Sequence, residues 1–227
     1  MTVLRSADHA PLTPKGRATR ARIVDAAAAL IFERGVSGTS LDDVKAAASV
    51  SSSQLYHYFA DKVALVSAVI AHQVDAVLGG QEPYLSHLDS MAALRAWRDA
   101  VVRVRRTLNC HGGCPIGSLA SELAESDNTL RREAAAGFSR WAERIRVGLH
   151  AMRERGELRA EADPAVLATA ILASTQGGIL LSQAHRSTAP LEIALDTMLD
   201  YVASFLTPRG QKGRRAGTGR VRVPNRA

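Results

Sequence analysis

At 227 residues, 46% of them hydrophobic, the chain is long enough to bury a real core as one large domain or two small ones. The formal charge is +7, and residues 208–227 carry Arg209, Lys212, Arg214, Arg215, Arg220, Arg222 and Arg226 with no acidic residue, so the net charge resides in a tail suited to a polyanion. Two cysteines exclude a disulfide framework, residues 1–21 lack the apolar run of a secretory signal, and the apolar stretch 164–181 is interrupted by Ser174, Thr175 and Gln176 and falls short of the roughly 20 residues of a membrane span; the expectation is a cytoplasmic protein with no membrane partner.

Apolar residues recur at helical spacing nearly throughout, and no alternating β-branched run suggests a sheet, so the expected class is all-α. Thr13-Pro14 can open a first helix whose core face runs through Ile23, Ala27, Leu30 and Ile31 until Gly35. Ser40-Leu-Asp-Asp43 opens a short helix, its hydroxyl and acidic third residue answering orphan backbone N–H groups, and Ser51-Ser-Ser-Gln54 repeats the arrangement. Asp61 caps a fourth helix to about Leu78, and Gly79-Gly80 with Pro83 read as a linker. Further helices are expected at about 90–109, 116–125, 128–155, 164–185 and 189–206. Asp163-Pro164 is a strong start, while Gly156 and Pro208 are stops. The tail is Gly- and Arg-rich, with little to bury, and reads as disordered.

Aromatics make up 4% of the chain, yet Tyr56, Tyr58 and Phe59 cluster within SSSQLYHYFADK, residues 51–62. A helix-turn-helix places the N-terminal part of its second helix against DNA base edges, and residues 51–59 fit that position. Leu55 and Phe59, four apart, share a core face; Ser52, Ser53, Tyr56 and His57 project from another. Lys62 sits beside a helix N-terminus, where a cation and backbone N–H groups can hold a phosphate.

Ile23-Val-Asp-Ala-Ala, Phe32-x-x-x-Gly35, Thr39-Ser-Leu-Asp-Asp-Val44 and Val50-Ser…Leu55-Tyr-His-Tyr-Phe-x-Asp-Lys62 resemble the TetR family of transcriptional regulators, in order over about 50 residues. The resemblance implies an all-helical homodimer that binds double-stranded DNA at a pseudo-palindromic operator and is released by a small-molecule inducer. On that basis residues 1–60 form a three-helix DNA-binding domain, 61–207 a helical ligand-binding and dimerisation domain, and 208–227 the basic tail. It further implies DNA contact by Ser40, Ser52, Tyr56, His57, Tyr58 and Lys62, with Thr39, Ser51, Ser53 and Gln54 in the same segments. Ser49 and Ser53 stand where the family commonly has glycine, which strains the turn at Ser49 and adds a hydroxyl at Ser53.

CHGGCPIGSLASELAE, residues 110–125, resembles a loop-and-helix signature of a TetR subgroup related to the LmrA and YxaF repressors. Three readings of Cys110 and Cys114 stand open. The thiols pack as small hydrophobes; or they sense oxidants or electrophiles, with Arg105, Arg106 and His111 favouring a thiolate; or they bind metal, for which Cys110, His111 and Cys114 lack a fourth ligand at a recognisable spacing. Trp97, Phe138, Trp141, Met152, Gln176, Gln183 and His185, with the two cysteines, are candidates for an inducer pocket suited to a drug-sized ligand. The Ala-rich helix at 164–185, with Gly177-Gly178, permits close approach and can join the last helix in a four-helix dimer interface. The rival function is a thiol-dependent helical enzyme using Cys110 or Cys114 with His111; it lacks a third orienting residue, and no catalytic residue, metal or cofactor is assigned.

Overall fold

A computed structural model describes residues 12–209. Apart from Pro208 and Arg209, the expected basic tail lies outside the described residues. Ten helices follow in chain order: α1 (Pro14–Arg34), α2 (Leu41–Ala47), α3 (Ser52–Tyr58), α4 (Lys62–Gly79), α5 (Glu82–Leu85), α6 (Met91–Thr107), α7 (Pro115–Leu123), α8 (Asn128–Glu154), α9 (Pro164–His185) and α10 (Ala189–Ser204).

Local chemistry sets most of these boundaries. Thr13, Ser40, Ser51, Asp61 and Asp163 each turn a side-chain oxygen onto a first-turn N–H, relieving donors that have no partner within the helix. Both short helices carry complete capping boxes, Ser40 with Asp43 and Ser51 with Gln54. Gly35 ends α1 at φ 76°.

Three expectations are corrected. Residues 79–83 form no linker: Gly80 N–H donates to Ala76, Tyr84 N–H closes α5 on Gln81, and the Gln81 side chain bonds both Val77 O and the Trp97 indole. The chain there is tied to α4 and α6. The last helix stops at Ser204 rather than 206, because Arg159 N–H takes Phe205 O and Thr207 N–H takes Glu157 O, both at 2.9 Å. Helix α9 reaches His185 and is 22 residues long, so by length and composition alone both it and α4 could cross a membrane; α4 instead packs on α1, α7 and α8, and one face of α9 packs on α8 and α10.

One continuous apolar core runs from Ile23 to Leu206. Helix α4 is its axis, with Leu65, Val66, Val69 and Ile70 buried along one part and Val74 and Leu78 along the other, packed on α1, α7 and α8. The expected glycine pair in α9 divides its roles. A Cβ on Gly178 would lie 2.8 Å from Leu191 Cα, so this glycine admits α10 of the same chain, whereas Gly177 faces open space.

Candidate nucleic-acid interface and effector cavity

Helices α2 and α3 meet at a four-residue turn in which Ser49 takes the left-handed conformation, φ 51°. Only glycine adopts it without steric cost, so the strain expected of serine here is present. The turn is held by Val50 N–H on Lys45 O at 3.1 Å and by Arg22 Nε on Ala48 O at 2.9 Å. Beneath it Leu55 and Phe59 are buried, and the Arg20 guanidinium lies 5.1 Å from the Phe59 ring centre.

The outer face of α3 presents Ser52, Ser53, Tyr56 and His57 together. Tyr56 is 56% exposed, and His57 stands edge-on to Tyr58 at 4.9 Å. Tyr58 itself is half-buried against the core. Several polar groups of these segments are already engaged. Ser40 and Ser51 cap their helices, the Gln54 carbonyl accepts the Ser51 N–H at 2.9 Å, and Ser52 Oγ accepts from Lys45 Nζ at 3.2 Å. Thr39 departs from expectation. It is 2% exposed and donates its hydroxyl to Gly35 O at 2.8 Å, placing it inside the α1–α2 loop rather than on the surface with Tyr56.

Sequence reasoning passed over the basic first turns of α1, Lys15, Arg17, Arg20 and Arg22, and Lys45 on α2. The cluster PKGRATRAR was the available signal, masked by the larger charge of the tail.

A second feature joins the two parts of the molecule. Glu122, on α7, accepts the N–H groups of Val36 and Ser37 at 2.8 Å each and the Ser37 hydroxyl at 3.0 Å, so one carboxylate grips the loop between α1 and α2. Desolvation opposes its ionisation, but the hydrogen bonds from Ser37 and Val36 and the nearby charge of Lys62 hold its carboxyl below the ordinary range. Just upstream, Gly112 has φ 62°, and a Cβ there would collide with the ring of Phe32 on α1, so the CHGGC loop lies directly on the N-terminal helices.

The other end of α7 borders a partly open, mostly apolar cavity of about 200 Å³ lined from α4, α5, α6, α8 and α9. Cys114 and Trp141 line it, with Arg105 as the charged side chain in its wall. Phe138, Gln176 and Gln183 instead line a neighbouring, more open groove of about 610 Å³ that shares Cys114 and reaches Glu122. Four predicted pocket residues lie elsewhere. Trp97 and Met152 are fully buried in the core, Trp97 with its indole N–H on Gln81 Oε1 at 2.8 Å, and His185 is exposed at the end of α9. Cys110 lines neither cavity; it is buried beside a surface cleft, its carbonyl accepting from Arg186 at 3.2 Å. Both thiols are free and buried, unlike the exposed thiolates of reactive sites.

Residues 23–69 match the family described as bacterial regulatory proteins, tetR family, and residues 90–198 match the tetracyclin repressor-like C-terminal domain. The HTH-type transcriptional repressor DhaR of Mycobacterium sp. (strain GP1) is 28% identical over 191 residues, spanning 83% of this chain and 92% of the relative. The HTH-type transcriptional regulator LmrA of Bacillus subtilis (strain 168) is 26% identical over 182 residues, or 76% and 90%. A TetR transcriptional regulator from Chloroflexus aurantiacus J-10-FL superposes with a TM-score of 0.71 at 28% identity, covering 86% of this chain and 98% of its own. With a helix-turn-helix carrying an exposed Tyr56-His57 face, joined through α4 to a helical C-terminal part, and with both parts matched in order, the chain belongs to the TetR family of transcriptional regulators.

Proposed function

We propose that this regulator is a homodimeric repressor that binds a pseudo-palindromic operator and is released by a small-molecule inducer. In this reading residues 12–60 read DNA and residues 61–207 bind the inducer and dimerise, with α4 shared between them. Tyr56, His57, Ser52 and Ser53 meet the major groove, while Lys62, Tyr58, Ser40, Ser51 and Gln54 meet or position the phosphate backbone. Dimerisation uses α9 and α10, where Leu180 and Ile193 are 64% and 67% exposed and Val166, Leu181 and Tyr201 are exposed as well. Action on DNA places the protein in the cytoplasm.

The observation that carries the inducer reading is α7. Its first residues border the cavity and its last turn carries the Glu122 grip on the α1–α2 loop, about 10 Å away by helical rise. A ligand that shifts Pro115 moves the hold on the reading head, which supplies differential affinity for two arrangements of the DNA-binding helices. The test is operator binding to the upstream region of its own gene, with and without a ligand selected by thermal shift. Release by the ligand from wild-type protein, and loss of that response in Glu122→Ala with the dimer intact, is the expected result. A stabilising ligand that leaves operator affinity unchanged would refute it.

A further inference from the structure

We propose that the partly open cavity beside α4, α6 and α8 takes a small organic monoanion, a carboxylate on a compact apolar body, with Arg105 meeting its charge and the Trp141 indole N–H meeting one of its oxygens. The inference rests on the reading above that these helices bind an effector, and it names the chemical class of that effector.

The first observation is an unmatched cation. Among the five arginines of α6, Arg98, Arg105 and Arg106 differ in their partners. Arg98 pairs with Asp196 at 2.7 Å and Asp99 at 3.1 Å, and Arg106 pairs with Glu192 at 2.9 Å. Arg105 is half-buried in the cavity wall, and among the described residues its guanidinium meets the carbonyls of Gly113, at 3.0 Å, and Gly112, both through Nη1, and no carboxylate. A charge withdrawn from water is ordinarily paired. Burial pushes the Arg105 pKa down, with Cys114 and Cys110 acting in the opposite direction, consistent with a cation short of a counter-charge.

The second observation is independent. Trp141 lines the same cavity at 2% exposure, and its indole N–H is buried with no acceptor among the described residues, whereas the other tryptophan, Trp97, has one in Gln81. A buried donor left unpaired costs free energy that an acceptor on a ligand recovers. A planar carboxylate suits both groups, because it accepts two parallel bonds from a guanidinium and keeps lone pairs for a further donor.

The remaining wall limits the rest of the molecule. Gln81 and Tyr84 aside, the rest of the wall is apolar, with Ala76, Ala100, Val101 and Ile179 in it, so the body of the ligand is apolar as well. About 200 Å³ is below the roughly 300–1,000 Å³ of drug-sized sites, which replaces the larger ligand expected from sequence by a small one. With Arg105 as the charged group in the wall, a dianion would remain underpaired. The same guanidinium holds the carbonyls of Gly112 and Gly113, so occupancy is felt in the loop that lies on Phe32 of α1.

The test compares benzoate, phenylacetate and hexanoate with benzamide, phenylacetamide and hexanamide on the full-length protein, by thermal shift and calorimetry. At least one carboxylate is expected to bind once per protomer and about tenfold or more tighter than its amide, a difference of about 1.4 kcal/mol. Trp141→Phe keeps the ring and removes the donor, and should weaken that carboxylate severalfold; Arg105→Gln should abolish the preference for carboxylate over amide. Because Arg105 also holds the loop, the comparison of carboxylate with amide on unaltered protein stands even where that variant fails to fold. Amides binding as tightly as carboxylates, or no binding by any of the three carboxylates, would overturn the inference. A carboxylate that binds with the expected dependence on Trp141 but leaves operator affinity unchanged supports this site and refutes the inducer reading; a neutral ligand that releases DNA does the reverse.

Discussion

The carboxylate of Glu122 accepts the backbone N–H of Ser37 at 2.8 Å across 85 positions of sequence, tying α7 to the loop that precedes the helix-turn-helix. Removing it by Glu122→Ala should destabilise the docking of the N-terminal helices by about 1–2 kcal/mol, a charged-acceptor contribution reduced by solvent screening. Hydrogen exchange at residues 36–40, faster in the variant while α8 is unchanged, would report the loss.

The same group sets a pH dependence. The folded-state pKa of Glu122 is lowered, so its contribution is present above the unfolded carboxylate value of about 4.3 and is lost as pH falls through the lower folded-state value. Acid titration of stability should therefore be shallower below about pH 4.3 in Glu122→Gln than in the wild type. Parallel curves for the two proteins would deny the carboxylate this part.

On the reading helix, Tyr56→Ala and His57→Ala should each weaken operator binding by ~1–3 kcal/mol and relax sequence preference. Lys62→Ala should weaken all sequences alike and reduce the salt slope by about one. Fluorescence anisotropy over a salt series separates the two classes, and intact circular dichroism guards against misfolding.

Ser49 at φ 51° predicts a gain from glycine. The left-handed penalty of about 1–2 kcal/mol is relieved, against about 0.5–1 kcal/mol of added chain entropy, so Ser49→Gly should raise stability by about 0.5–1 kcal/mol. The denaturant midpoint should rise without a change in slope.

Leu180→Glu combined with Ile193→Glu should convert the dimer to a monomer of native helical content, because both side chains are exposed on α9 and α10 and neither supports the subunit core. Sedimentation shows the mass, and footprinting should then lose protection of paired half-sites. A dimer that survives both charges would place the interface elsewhere.

Much of the fold was legible because it is written in neighbours. The capping boxes at Ser40-Asp43 and Ser51-Gln54 need residues three apart, and the division of Leu55 and Phe59 from Tyr56 and His57 follows from helical phase alone. Helix α5 escaped because four residues are too few for a period, and its glycine-rich entry resembled a linker until Gln81 was seen bonded to Trp97. Thr39, a DNA-contact candidate by sequence, closes its hydroxyl on Gly35, since a loop has no fixed phase by which to assign a side chain to a face. Remote contacts were silent in the same way. Nothing in CHGGC announces that Gly112 lies against Phe32, and nothing in α6 separates Arg98 and Arg106, each on a carboxylate, from Arg105, which among the described residues meets only carbonyls. Local hydrogen bonds and periodicity are properties of a segment and can be read from it. The grip of Glu122, the outward turn of Gly177 and the charge facing the cavity arise where segments distant in sequence meet, and they exist only once the core has brought those segments together.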